Sequence, residues 1–89
     1  MTETYMLFVG SDNDTGELDM PRIEKIMGKR HAGFTTWRAS GHWQGGAEDT
    51  AVILVNDAPG AVAETIAALK SELRQDAIGV QAMPAMSYA

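Results

Sequence analysis

Apolar positions recur along this chain with two different periods, and the switches between them mark out the elements. Tyr5-Met6-Leu7-Phe8-Val9 is a short apolar run closed by Gly10, the pattern of a buried strand. Ser11 to Leu18 is a polar loop. Ile23, Ile26 and Met27 then return at helical spacing behind Asp19 and Pro21. Asp19 suits an N-cap, and a proline is tolerated in the first turn, where its missing N–H has no intrahelical partner to lose. A helix is predicted over Met20–His31, ended by Ala32-Gly33. From Phe34 to Ser40 the period drops to two, with Phe34, Thr36 and Arg38 on one face and Thr35, Trp37 and Ala39 on the other, in a stretch rich in β-branched and aromatic residues. Thr50 to Val55 is continuously apolar, fit for a central strand buried on both faces. Asp57 is expected to cap a second helix over Pro59–Arg74. Val62, Ile66, Leu69 and Leu73 form its inner face, and Ala61, Ala63, Ala67 and Ala68 add propensity and close packing. Ala77 to Met83 alternates as a last strand and Pro84 stops it. Residues 84–89, ending Met86-Ser87-Tyr88-Ala89, are expected to form a loose tail or an arm onto a neighbouring subunit.

The order is β-α-β-β-α-β. It predicts an α+β, ferredoxin-like sandwich: a four-stranded sheet with both helices on one face. The strands separated by a helix should run parallel through right-handed crossovers, and the central hairpin supplies an antiparallel pair. One sheet face is covered and the other is left bare. The 89 residues make one small domain, 1–89, with a limited core. The bare face must be solvated or buried by another subunit; the small core and the apolar character of Thr50–Val55 predict a homo-oligomer, a trimer.

Composition narrows the partners. There are no cysteines, so disulfide and thiolate chemistry are excluded and a reducing compartment fits. The longest apolar run, Ala51 to Val55, is far too short to span a bilayer, and the first residues lack the basic-then-apolar order of a secretory signal. The expectation is a soluble, cytoplasmic protein with no membrane partner. Net charge is -5, from 12 acidic and 7 basic residues. The basic cluster Lys25, Lys29, Arg30 and His31 falls at a helix end, where cations suit the macrodipole. His31 is therefore read as a surface residue. Nucleic acid is not an expected partner of so acidic a chain.

Candidate chemistry concentrates in Gly41-His42-Trp43-Gln44-Gly45-Gly46-Ala47-Glu48-Asp49-Thr50, which lies between two strands and reads as the turn region of a hairpin. Trp43, His42 and Glu48 among three glycines suggest a pocket wall. The plainer alternative is a flexible tip, with Trp43 packed on its own sheet and Glu48 paired with Arg38. A Trp face holds a cationic or aromatic group, and a shielded Glu attracts positive charge, so the pair suits a cationic small molecule with an aromatic base. The first loop, Asp12-Asn13-Asp14-Thr15-Gly16-Glu17, fails the calcium-loop pattern, since the twelfth position from Asp12 is Ile23. It reads as a solvated turn or a mobile lid. His31 and His42 lie far apart, and no phosphate loop or nucleophile elbow is present, so neither a metal nor a cofactor is expected.

These residues carry a resemblance. The element order, the Gly41-His42-Trp43-Gln44-Gly45 segment and Glu48 before the next strand resemble the PII-like trimers, including the CutA group. More specifically, the chain is similar to the phage-encoded enzymes that degrade S-adenosylmethionine. In that family a Gly-x-Tyr segment precedes a Glu; Gly41, Trp43 and Glu48 stand at the matching positions, with Trp43 in place of the Tyr. An indole donates a hydrogen bond and stacks but cannot accept as a phenol does. Gln75-Asp76, at the end of the second helix, also looks similar. The resemblance implies a lyase without cofactor or metal, acting on S-adenosylmethionine or a similar nucleoside at an inter-subunit cleft, in the host cytoplasm if phage-encoded. Glu48 and Trp43 would be the catalytic pair. Gly10, Ser11, Asp12, His42 and Gly45 would line the substrate. The rivals are a non-catalytic PII- or CutA-like trimer binding a nucleotide or metal, and a structural or inhibitory phage-type protein whose bare face meets a partner.

Overall fold

A computed structural model describes residues 1–89. The elements are β1 (Glu3–Val9), α1 (Met20–Arg30), β2 (Thr35–Trp43), β3 (Gly46–Asp57), α2 (Pro59–Glu72) and β4 (Gly79–Met83). The sheet order is β2-β3-β1-β4. Every neighbouring pair is antiparallel. Strands joined through a helix do run in the same direction, but another strand always separates them, so the sheet contains no parallel pair.

Side-chain alternation sorts the sheet into two faces. Leu7 and Val9 of β1 and Ala51, Ile53 and Val55 of β3 are buried, and they share one core with Ile23, Ile26 and Met27 of α1 and Val62, Leu69 and Leu73 of α2. Both helices therefore cover the same face. The opposite face carries Met6 and Phe8 of β1, Val52 and Leu54 of β3, Thr35 and Trp37 of β2, and Gln81 and Met83 of β4. Val52 is buried within the chain, but Phe8 and Trp37 are 39% and 43% exposed. Thr50 to Val55 of β3 is thus buried on both faces within one chain except at half-buried Leu54, and the exposed apolar surface lies on the strands beside it. The tail turns back over this face at one point, where the Met86 N–H donates to Asn56 Oδ1 at 3.3 Å. No helix is long and apolar enough to cross a membrane.

α1 starts as its sequence dictates. Asp19 Oδ1 accepts from the Arg22 N–H at 3.1 Å, satisfying one of the unpaired donors of the first turn. α2 does not. Its cap position is Ala58, with no side-chain bond. Asp57 ends β3, and its carboxylate is used elsewhere: Oδ1 accepts from the Ala58 N–H at 2.7 Å, and Oδ2 lies 2.7 Å from His31 Nδ1.

His31 is not a surface residue. It is 6% exposed, with Nε2 2.7 Å from Thr65 Oγ1. The Thr65 hydroxyl also lies 3.1 Å from the Ala61 carbonyl. The order Asp57–His31–Thr65 has the spacing of a hydrolase triad, yet Thr65 is fully buried and no substrate reaches it. The relay is structural. It ties the end of α1 to β3 and α2 and satisfies polar groups that would be costly to bury unpaired. The bond from His31, helped by the Ala58 N–H, holds the Asp57 carboxyl below its ordinary pKa.

Candidate functional site on the open sheet face

The hairpin is much tighter than its ten-residue glycine-rich stretch suggests. β2 and β3 stay paired from Thr35↔Leu54 to Trp43↔Gly46. Only Gln44 and Gly45 form the turn, with φ of 49° and 82°. Two positive φ values in a two-residue loop are the type I′ geometry, whose twist matches the flanking strands. Gly45 is therefore required by the turn itself.

Because the strands run on to the tip, alternation assigns every side chain to a face. Gly41, Trp43, Glu48 and Thr50 share the open face with Trp37 and Val52; Arg38, His42, Ala47 and Asp49 point the other way. His42 is thus on the opposite side of the ribbon from Glu48 and Trp43. Arg38 pairs with Asp49, at 3.4 Å, and not with Glu48. Both partners are exposed, so that ion pair adds little. Trp43 is not packed on its own sheet: it stands 72% exposed near the tip.

Glu48 sits in a notch. Its Oε2 accepts from the Ser11 N–H at 3.2 Å. A Cβ added at Gly10 would lie 2.7 Å from Glu48 Oε1, so the absent side chain of Gly10 is what makes room for the carboxylate. A Cβ at Gly41 would collide with Thr50 Oγ1. The missing side chains of Gly10 and Gly41 leave the room that the Glu48 carboxylate and the Thr50 hydroxyl fill at the end of β1. Ser11 is held in turn: its hydroxyl donates to the Asp49 carbonyl at 2.9 Å, and its carbonyl accepts from Gln75 Nε2 at 2.7 Å. The structure therefore brings Gly10, Ser11 and Glu48 into contact, and puts Trp43 on their face.

Asp12 is occupied differently. Its Oδ1 accepts from the N–H groups of Asp14 and Thr15, at 2.7 and 3.1 Å, and its Oδ2 lies 2.8 Å from Arg74 Nη2. Backbone bonds from Asp12 N to Glu17 O and from Gly16 N to Asp12 O close the loop. The first loop is a stapled turn against the end of α2, in place of the mobile lid its polarity suggested. A recess of about 380 Å³ opens there, lined by Asp12, Thr15, Glu17, Arg22, Glu72 and Arg74 among others, but both arginines are already ion-paired within the chain.

The hydrogen bond from Arg74 holds the Asp12 carboxyl below its ordinary pKa, and the same contact raises that of Arg74. A carboxyl depressed in the folded state stabilises the fold above its unfolded pKa, and that contribution is lost as pH falls through the folded value. The stability difference between the parent and Asp12→Asn is therefore expected to be full above about pH 4 and to vanish at lower pH. Urea unfolding midpoints across that range check it; a pH-independent difference contradicts it.

No protein-family model matches the chain, and no curated protein matches it. Solved structures share its architecture. A DUF3240 family protein from Shewanella baltica OS155 superposes with a TM-score of 0.68 at 13% identity, over 100% of this chain and 96% of its own. A phage SAM lyase in complex with S-methyl-5'-thioadenosine gives 0.64 at 15% identity, over 93% and 81%. The divalent cation tolerance protein CutA1 from Thermus thermophilus gives 0.63 at 17% identity, over 100% and 88%. At such identities the likeness establishes the fold: this chain has the ferredoxin-like α+β architecture of the CutA-like proteins.

Proposed function

We propose that the protein is an S-adenosylmethionine lyase, acting at a cleft that the open sheet face forms with a neighbouring subunit of a homo-trimer. The observation that carries this reading is the Glu48 carboxylate, seated over Gly10 and held by the Ser11 N–H on a face that also exposes aromatic side chains. A fixed carboxylate beside aromatic surface suits a ligand that is both cationic and aromatic. Fold likeness to a phage SAM lyase supports the same choice.

In the proposed reaction the substrate's own carboxylate oxygen attacks its γ-carbon. The Cγ–S bond breaks, its electron pair stays on sulfur, and methylthioadenosine leaves as homoserine lactone forms. Charge balances without a proton, an external nucleophile or a metal. The protein's part is to fold the substrate into attack geometry and to place charge where the reaction needs it. Glu48 would hold the ammonium or sulfonium end. Trp43 would lie against the cation or the adenine. Gly10 and Ser11 would contact the nucleoside beside Glu48.

The direct test is incubation of purified protein with S-adenosylmethionine and chromatographic detection of methylthioadenosine and homoserine lactone. Formation of both at a rate above the uncatalysed reaction supports the reading. Saturable binding without products would leave a ligand-binding module, and no binding would overturn the reading altogether. Trp43→Tyr is a sharper probe. Trp43 is largely exposed in the single chain, so the fold should tolerate the change, with thermal stability within about 0.5 kcal/mol of the parent. Activity is expected to be retained or raised, since a phenol stacks and also accepts a hydrogen bond. Loss of folding in this variant would return Trp43 to a packing role.

A further inference from the structure

We infer that Gln75, 27 positions beyond Glu48 in the chain, is a positioning residue for the Glu48 carboxylate, acting through Ser11. The inference rests on the catalytic reading of Glu48. Leu73 is the C-cap of α2, Arg74 takes the left-handed conformation with φ 51°, and the Gln75 N–H donates to the Lys70 carbonyl at 3.0 Å. This is the Schellman wrap, whose left-handed position normally belongs to glycine. An arginine there holds a strained backbone conformation. The side chain at that place is in use: Arg74 binds Asp12 and Asp14 of the first loop. The wrap then sends the next residue, Gln75, onto the same loop.

Gln75 is tied at both ends. Its backbone closes the helix, and its amide donates to the Ser11 carbonyl at 2.7 Å and to the Leu73 carbonyl at 3.3 Å. Ser11 is consequently gripped at three atoms. Gln75 takes its carbonyl, the Asp49 carbonyl takes its hydroxyl, and Glu48 takes its N–H. The carboxylate is thus oriented by a donor that is itself immobilised from α2. The Gln75 amide bonds to Ser11 and Leu73 and not to Glu48, so its effect on the carboxylate passes through Ser11. A misplacement of about 1 Å at a reacting group can cost up to about 10²-fold in rate.

Gln75→Glu keeps length and removes the donor, and Gln75→Met does so without adding charge. In both, amide exchange at Ser11 is expected to quicken about tenfold while exchange at Leu7 and Ile53 stays at the parent rate, the signature of a local release. With S-adenosylmethionine as substrate, kcat is expected to fall about tenfold or more, with KM nearly unchanged. Unchanged Ser11 exchange in both variants would overturn the inference whatever the activity. So would faster Ser11 exchange with full kcat in a protein that Glu48→Gln inactivates. A parent that makes no methylthioadenosine would sink the lyase reading alone, because the exchange measurement still decides whether Gln75 fixes Ser11.

Discussion

Glu48→Gln is expected to lower the rate of methylthioadenosine formation by about 10²–10³-fold, the range for removing one preorganised electrostatic contact at a reacting centre. The amide matches the carboxylate in size and still offers an oxygen to the Ser11 N–H, so the fold and the notch should survive. What disappears is the negative charge that faces a sulfonium or ammonium group. Gly10→Ala approaches the same carboxylate from the other side. Its new Cβ would lie 2.7 Å from Glu48 Oε1, so the carboxylate must swing out of its seat with its charge intact. Gly10 has no positive φ, so the alanine brings no backbone strain of that kind. Activity should fall in this variant too, with little change in thermal stability. Gly33→Ala is the control, since a Cβ there meets nothing within 4 Å. Normal turnover in both Glu48→Gln and Gly10→Ala would return Glu48 to the class of surface carboxylates.

Trp37→Glu is expected to turn the proposed trimer into monomers and to abolish the proposed turnover with it. Trp37 lies on the open face opposite Val52, with Phe8, Leu54, Met6 and Met83 on the same side of the sheet. A single chain leaves this apolar surface in water, which soluble monomers avoid over large contiguous areas. Burying an indole removes roughly 150–250 Å² from water, and at about 25 cal/mol per Å² that is roughly 4–6 kcal/mol at full burial. Because Trp37 is already partly covered within its own chain, association recovers only a fraction of it. A carboxylate in its place loses that gain and resists desolvation besides. Three copies multiply the effect. Light scattering should give three times the monomer mass for the parent and one for Trp37→Glu. Lys29→Glu, on the helix side, should remain trimeric. A parent that is monomeric at micromolar concentration refutes both the assembly and a cleft between subunits.

Local periodicity was enough to define most of this architecture. Ile23, Ile26 and Met27 recur at helical spacing and are buried; Thr35 to Ser40 alternates, and its two faces are those of the sheet. Asp19 caps α1 because a cap depends on an N–H only three residues away. Such signals survive in sequence because the interacting groups are close along the chain. Glu48, on which the proposed function rests, was singled out from its glycine-rich, aromatic surroundings.

The remainder was decided by contacts between distant segments. His31 follows a run of basic residues at a helix end, and nothing nearby signals burial; its partners are Asp57 and Thr65, 26 and 34 positions away. The claim of His31 on Asp57 explains why that carboxylate does not cap α2. The split between Glu48 and His42 depends on the two-residue turn at Gln44-Gly45, because ladder register alone determines which face a strand residue occupies. Asp12 and Gln75 drew their roles from the packing of the first loop on the end of α2, across 62 and 64 positions. Sequence by itself thus determined the elements, their inner faces and the bare sheet surface. Tertiary structure alone decided which polar groups far apart in the chain meet, since a hydrogen bond is set by position in space to within a few tenths of an ångström, and no local pattern encodes that for distant segments.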